Sequence, residues 1–152
     1  MNDTELDSAL RAEYFHLQTV IEDFDSKAIG IKAWSISFSL AAIVGAFAGK
    51  SSLVLFVAFI SALLFWLLEA IWKSFQLGYY ERAASIERHF SGEQVLGAPF
   101  QIGKAWFAHW HAGGSRAWAR LLLWPHVALP HAVVALIGGL LCLLSALGKL
   151  DP

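Results

Sequence analysis

Glu69 is the only acid in an otherwise uncharged apolar stretch running from Leu53 to Trp72. A carboxylate in such a helix is costly and often marks an ion or proton path. Lys73 follows four residues later, in the Glu-to-Lys order that favours a helix pair. Two readings therefore stand for Glu69: an ion pair at the membrane interface, or a pore mouth or subunit contact. On the preceding apolar stretch, Ser35, Ser39, Ala42, Ala46 and Gly49 share one helical face. Small residues let helices approach closely, and serine hydroxyls bond across the gap. The alternative is that Ser35, Ser39, Ala42 and Ala46 line a hydrated pore. Ala135, Gly138, Gly139, Cys142 and Ser145 form a second small-residue face, read as packing.

A second group of residues suits recognition. Trp106, Trp110, Arg116 and Arg120 combine rings with guanidinium planes, which can stack nucleobases; the competing reading is an aromatic belt at the membrane surface. Lys73, Gln76, Tyr80, Arg82 and Arg88 follow the second apolar stretch, and arginines gathered around an oligomer axis can hold phosphates. His109 and His111 are too few for a metal site, and alternate residues of a helix point in different directions. His126 and His131 flank a proline-containing segment, where a histidine either bonds a freed carbonyl or lines a wet cavity. There is no phosphate-cradling glycine loop, no nucleophile elbow and no HExxH pair, so no enzyme and no cofactor are expected.

Composition decides what scaffold holds these residues. Of 152 residues, 57% are hydrophobic and 15% charged, against about 45–50% and about 25% in soluble domains. Mean hydropathy is +0.56, which leaves too little polar surface to cover a globule in water. The formal charge of −1 predicts no bulk attraction to nucleic acid. The single cysteine, Cys142, excludes an internal disulfide framework. A lipid bilayer is the expected surrounding.

Ala33 to Gly49 and Leu53 to Trp72 are each long enough to cross a hydrocarbon core of about 30 Å. Gly49-Lys50-Ser51-Ser52 makes a tight turn between them, giving a transmembrane hairpin over residues 31–74. The third apolar stretch, residues 121–148, contains Pro125 and Pro130, which remove backbone donors and bias Trp124 and Leu129 away from helix. It is expected to begin irregularly through His131 and to cross as a short or tilted helix over Ala132 to Leu147, with a re-entrant segment as the alternative. Of the 11 lysines and arginines, only Lys50 and Lys149 fall on the side of the hairpin turn. The positive-inside rule then puts the N-terminus in the cytoplasm and the C-terminus outside. Trp34, Trp66, Trp72, Trp118 and Trp124 lie near the inner span ends, as a belt would. Asp3, Glu5 and Asp7 stand where a secretory signal has basic residues, so no cleavable signal is expected.

Residues 1–30 read as a cytosolic amphipathic helix capped by Thr4, with Leu10, Tyr14, Leu17, Ile21, Phe24 and Ala28 as an apolar seam. Only Gly30 separates it from the first span, which allows one long helix. After the second span Phe75, Tyr79, Ala83, Ile86 and Phe90 repeat at helical spacing until Ser91-Gly92. Residues 75–120 thus hold a helix, a glycine- and proline-containing loop over 91–104, and a short interfacial helix. The fold class is all-α: an integral membrane helical hairpin plus a third proline-broken span, with cytosolic helical extensions. The apolar seams can be satisfied within one chain or between chains, and both together would make an oligomeric bundle.

The layout resembles the small multi-pass effectors that bacteria encode in anti-phage defence operons beside nucleotidyltransferases, the SLATT-type two-span proteins and the Hailong-type membrane effector. The resemblance runs from Tyr14 to Glu87, about half the chain. It rests on Ile21-Glu-Asp-Phe-Asp25 and Ile31-Lys-Ala-Trp-Ser35, then Phe65-Trp66, Trp72-Lys-Ser-Phe-Gln76 and Tyr80-Glu-Arg-Ala-Ala-Ser-Ile-Glu87. The third apolar segment departs from the two-span pattern. The resemblance implies a homo-oligomeric channel in the bacterial inner membrane, controlled by a nucleotide or oligonucleotide ligand and acting on the membrane potential during infection. A tetramer is the first expectation. A second reading is a membrane anchor or accessory subunit that docks a soluble partner through its cytosolic helices. A third, a proton-coupled transporter using Glu69 and the histidines, lacks a second intramembrane carboxylate.

Overall fold

The computed structural model describes residues 2–151. Among the described residues every regular element is helical: α1 (Asp3–Gly49), α2 (Ser52–Phe90), α3 (Ile102–His111), a 3₁₀ turn at Gly114–Arg116, α4 (Trp118–Leu121) and α5 (Pro125–Ala146). The helices α1, α2 and α5 are each long and apolar enough to cross a membrane. The chain divides into two compact units, one of residues 2–27 with Trp72–Trp118, the other of Ala28–Ile71 with residues 119–151. Both α1 and α2 contribute to each.

The helix α1 is continuous through Gly30. Its cap is Asn2, not Thr4: the Glu5 amide donates to Asn2 Oδ1 at 2.8 Å, and the Asn2 amide donates to Glu5 Oε2 at 3.1 Å. This reciprocal pair is a capping box, which needs the acid three residues after the cap; Thr4 has no such partner at residue 7 in this arrangement. At the other end Lys50 takes a left-handed backbone with φ +50°. The Ser51 amide then reaches the Ala46 carbonyl at 2.9 Å, closing the helix before α2 begins at Ser52. The helix α2 stops where expected, since Gly92 has φ +83°, a conformation that costs glycine little.

In the first unit the two apolar seams meet within the chain. Leu10, Leu17 and Ile21 of α1 are buried against Ala83 and Ile86 of α2, with Tyr14 and Tyr79 packed alongside. Trp72 lies on Phe24, ring centroids 4.7 Å apart, and donates its indole N–H to the Phe24 carbonyl. The helix α3 lays Trp106 over Gly78 of α2. A Cβ at residue 78 would stand 2.5 Å from Trp106 Cδ1, so only glycine admits this ring. Gly78→Ala is expected to cost about 1–3 kcal/mol, the range for overpacking, read as a lower melting temperature in detergent.

In the second unit Ile43, Ala46, Leu55 and Ala58 form one buried cluster and Ala62, Val134 and Ala135 another. Gly138 and Gly139 pack α5 on Phe59 of α2, where a Cβ at residue 139 would stand 3.1 Å from Phe59 Cε2. Most outward-facing positions are apolar, among them Trp34, Val44, Leu53, Leu64 and Leu136, each at least 60% exposed. Charge is scarce: within residues 28–49, 52–71 and 125–146 the only Lys, Arg, Asp or Glu are Lys32 and Glu69.

The third apolar helix is not broken by its prolines. Pro125 occupies the first helical position, where a missing N–H costs nothing and φ is already helical. Trp124, extended at φ −65° and ψ 130°, caps it. The Val127 and Ala128 amides both bond to the Trp124 carbonyl. Pro130 sits inside the helix and withdraws one donor, the one the His126 carbonyl would have met. The irregular start expected through His131 therefore shrinks to residues 122–124, and Trp66 donates its indole N–H to the Leu122 carbonyl there at 2.9 Å.

Candidate functional site

Lys32, Ser35 and Ser39 recur at helical spacing and share one face of α1. In the second unit that face meets Glu69 of α2 and His131 of α5. The Glu69, His131, Ser35 and Ser39 residues have no exposed surface. Lys32 Nζ donates to Glu69 Oε1, and its side chain keeps 22% exposure. His131 Nε2 lies 2.8 Å from Glu69 Oε2, and His131 Nδ1 lies 2.8 Å from Ser35 Oγ. With Glu69 ionised and accepting on both oxygens, Nε2 of a neutral ring carries the proton, and Nδ1 accepts from the Ser35 hydroxyl. One histidine thus joins a carboxylate on one helix to a hydroxyl on another. Ser39 lies one turn beyond Ser35, and its Oγ is buried with no hydrogen-bond partner among the described residues.

Burying a charge is expensive unless it is paired and hydrogen-bonded. Here Lys32 and Glu69 neutralise one another, and His131 fills the second carboxylate oxygen. The order Ser35–His131–Glu69 matches the connectivity of a serine nucleophile, base and orienting acid. However, Ser35 is on a regular helix and has no exposed surface, so no substrate carbonyl reaches it. What the arrangement can do is hold a proton and pass it along two hydrogen bonds.

No family model, curated protein or solved structure matches the chain.

The pairing of Glu69 with Lys73 expected from their spacing is replaced. Both are on α2, but Lys73 Nζ donates to Asp25 of α1 and to Gln76 Oε1, the latter at 2.7 Å. Glu69 instead turns into the second unit, where it has no exposed surface and its Oε1 accepts from Lys32. Of the proposed pore-lining residues, Ser35, Ser39 and Ala46 are buried within the chain, and Ala42 packs beside Ile43 and Leu55.

The candidate ligand residues divide. Gln76 is buried and donates to the Ile21 carbonyl at 2.9 Å. Arg82 is 5% exposed, its Nε and Nη2 donating to the two oxygens of Glu13 at 2.8 and 2.9 Å. Trp106 and Trp110 are stacked on each other, planes 9° apart, with Trp106 donating to the Phe75 carbonyl and Trp110 lying 5.0 Å from the Phe75 ring. These indoles pack on α2 and on each other. Tyr80 is 43% exposed, and burial together with the Asp25 charge raises its hydroxyl pKa. Arg88, Arg116 and Arg120 are exposed.

Glu13 was not singled out from the sequence. Besides Arg82, it accepts the Phe100 and Gln101 amides, at 2.7 and 3.2 Å. Phe100 adopts φ +58°, which turns successive N–H groups toward one acceptor. Burial pushes the Glu13 carboxyl up, but the Arg82 hydrogen bond, the Phe100 amide, the Arg82 charge and the Gln101 amide together leave it below the ordinary value. The signal was present: Leu10, Glu13 and Leu17 are spaced three and four apart, so an acid occupies a core-facing position.

Proposed function

We propose that the chain is a multi-pass protein of the bacterial inner membrane, N-terminus cytoplasmic, that assembles as a homo-oligomeric channel. Its gate responds to a nucleotide or oligonucleotide made by a partner nucleotidyltransferase, and its opening dissipates the membrane potential in anti-phage defence. The observation that carries ion passage is the Lys32–Glu69–His131–Ser35 cluster. A packing helix has no need of an ion pair and a histidine among apolar spans, and polar groups at such depth are characteristic of ion and proton paths. The exposed Arg88, Arg116 and Arg120 are the guanidinium groups suited to bind a phosphate ligand. A ligand gates the channel only through different affinity for its two states.

The engagement of Arg82 by Glu13 and of Lys73 by Asp25 favours a second reading. Two of the cations best placed for a ligand are used to join α1 to α2, as befits an anchor whose extramembrane helices dock a soluble partner. Ion flux through proteoliposomes, with and without a panel of cyclic and linear oligonucleotides, separates the two. Flux that appears or vanishes with one ligand supports the gated channel. Folded protein that passes no ion under any condition supports the anchor.

A further inference from the structure

Ser39 is the part of the cluster that packing does not explain. A buried hydroxyl without a partner costs about 1–3 kcal/mol, and polar sites of this kind are normally completed by water with 2–4 polar partners. Helix rise places Ser39 about 10 Å along α1 from Lys32 and about 15 Å from Gly49. The polar stripe thus covers the first part of the apolar segment and ends near its middle. Beyond Ser39 the same face continues as Ala42 and Ala46, in the cluster with Ile43, Leu55 and Ala58. The polar stripe is a half-path, and an apolar plug closes it.

The chemistry of the half-path selects what it can carry. A dehydrated metal cation needs a shell of oxygen ligands in place of its water. The cluster offers one carboxylate, already occupied on both oxygens, and an incoming cation would meet the Lys32 ammonium. An anion would meet Glu69. A proton needs no shell, only alternating donors and acceptors at hydrogen-bond distance, and the two 2.8 Å contacts of His131 supply them. The titratable groups facing one another are Lys32 from α1, Glu69 from α2 and His131 from α5; no other charged side chain lies on these helix segments of the unit.

We propose that the permeant ion is the proton, carried by Ser39, Ser35, His131 and Glu69 and gated where Ile43, Ala46, Leu55 and Ala58 close the path. This inference rests on the channel reading above. In the transfer, a hydronium held at Ser39 gives a proton to Ser35 Oγ. The proton of Ser35 passes to His131 Nδ1, and the Nε2 proton of His131 passes to Glu69 Oε2. One O–H bond has formed on Glu69, the hydronium has become water, and the imidazole remains neutral in its other tautomer. A turn of the carboxyl group carries that proton to the partly exposed Lys32 side, where Glu69 releases it to water. A half-turn of the imidazole then points its N–H back toward Glu69 and its bare nitrogen toward Ser35 for the next transfer.

The test uses full-length protein in proteoliposomes, in each ligand condition of the flux assay, with an internal pH dye for protons and a separate potassium indicator. Wild type is expected to pass protons and not potassium. Ser39→Ala removes only a hydroxyl that bonds nothing among the described residues, so it folds like wild type, and its proton flux falls on the order of a hundredfold, as for loss of a positioned proton carrier. Glu69→Gln is expected to do the same. Potassium flux through wild type, or proton flux that is undiminished in either variant, overturns the proton path and leaves the channel standing. Folded wild type that passes no ion at all overturns the channel reading, and this inference falls with it.

Discussion

Glu13→Ala is expected to destabilise the unit of residues 2–27 and 72–118 by about 3–5 kcal/mol, the cost of removing one partner from a buried ion pair. It leaves the Arg82 guanidinium, 5% exposed, without its two carboxylate contacts, and frees the Phe100 and Gln101 amides that fix the start of α3. Arg82→Ala is expected to cost a similar amount, because it strands the carboxylate. Glu13→Leu combined with Arg82→Met removes both charges at comparable volume and is expected to recover most of the loss, as apolar replacements of buried pairs often do. The pair also gives an acid dependence. The folded carboxyl lies below its ordinary value, so its stabilisation is complete above the usual carboxylate range and is lost as pH falls through the lowered value. Wild-type melting temperature should therefore drop on acidification below about pH 4, and Glu13→Gln should flatten that drop. An unchanged acid slope in Glu13→Gln would show that other carboxylates carry it.

The helical periods of this chain were legible, and its partners were not. Leu10, Leu17 and Ile21 at seam spacing predicted a buried stripe, and Ala83 and Ile86 predicted its mate; these stripes do meet. The Ser35–Ser39–Ala46 face was legible as one face for the same reason, and it is buried. Spacing says which residues share a face but not what faces them. Glu69 and Lys73 satisfied the rule for a pair along one helix, yet each has a long side chain that reaches a neighbouring helix equally well, and the sequence does not state which neighbour stands there. His131 illustrates the same gap: its bridging role depends on α5 continuing through Pro130, whereas the prolines argued for an irregular backbone. Glu13 was hidden by its charge, since a seam is read from apolar residues and an acid at a seam position passes for an interruption.

Lys32→Met is expected to destabilise the unit of residues 28–71 and 119–151 more than Glu69→Gln, although the two residues form one ion pair. The difference lies in what each leaves behind. Without Lys32, a carboxylate with no exposed surface keeps His131 as its only donor among the described residues, and the penalty approaches the upper end of about 3–5 kcal/mol. Without the Glu69 charge, Lys32 retains a route to water, because its side chain is already 22% exposed and its stem can extend the ammonium outward. The new amide also keeps both contacts: its oxygen accepts from Lys32, and its nitrogen donates to His131 Nε2 once the ring proton moves to Nδ1 and is donated to Ser35 Oγ. The double variant Lys32→Met/Glu69→Gln should then be more stable than Lys32→Met alone, with a coupling on the order of 1–3 kcal/mol. Denaturant unfolding in mixed micelles measures all four corners of the cycle. Additive costs would mean that Lys32 and Glu69 do not act on one another, and the cluster would reduce to the His131 bridge between Glu69 and Ser35.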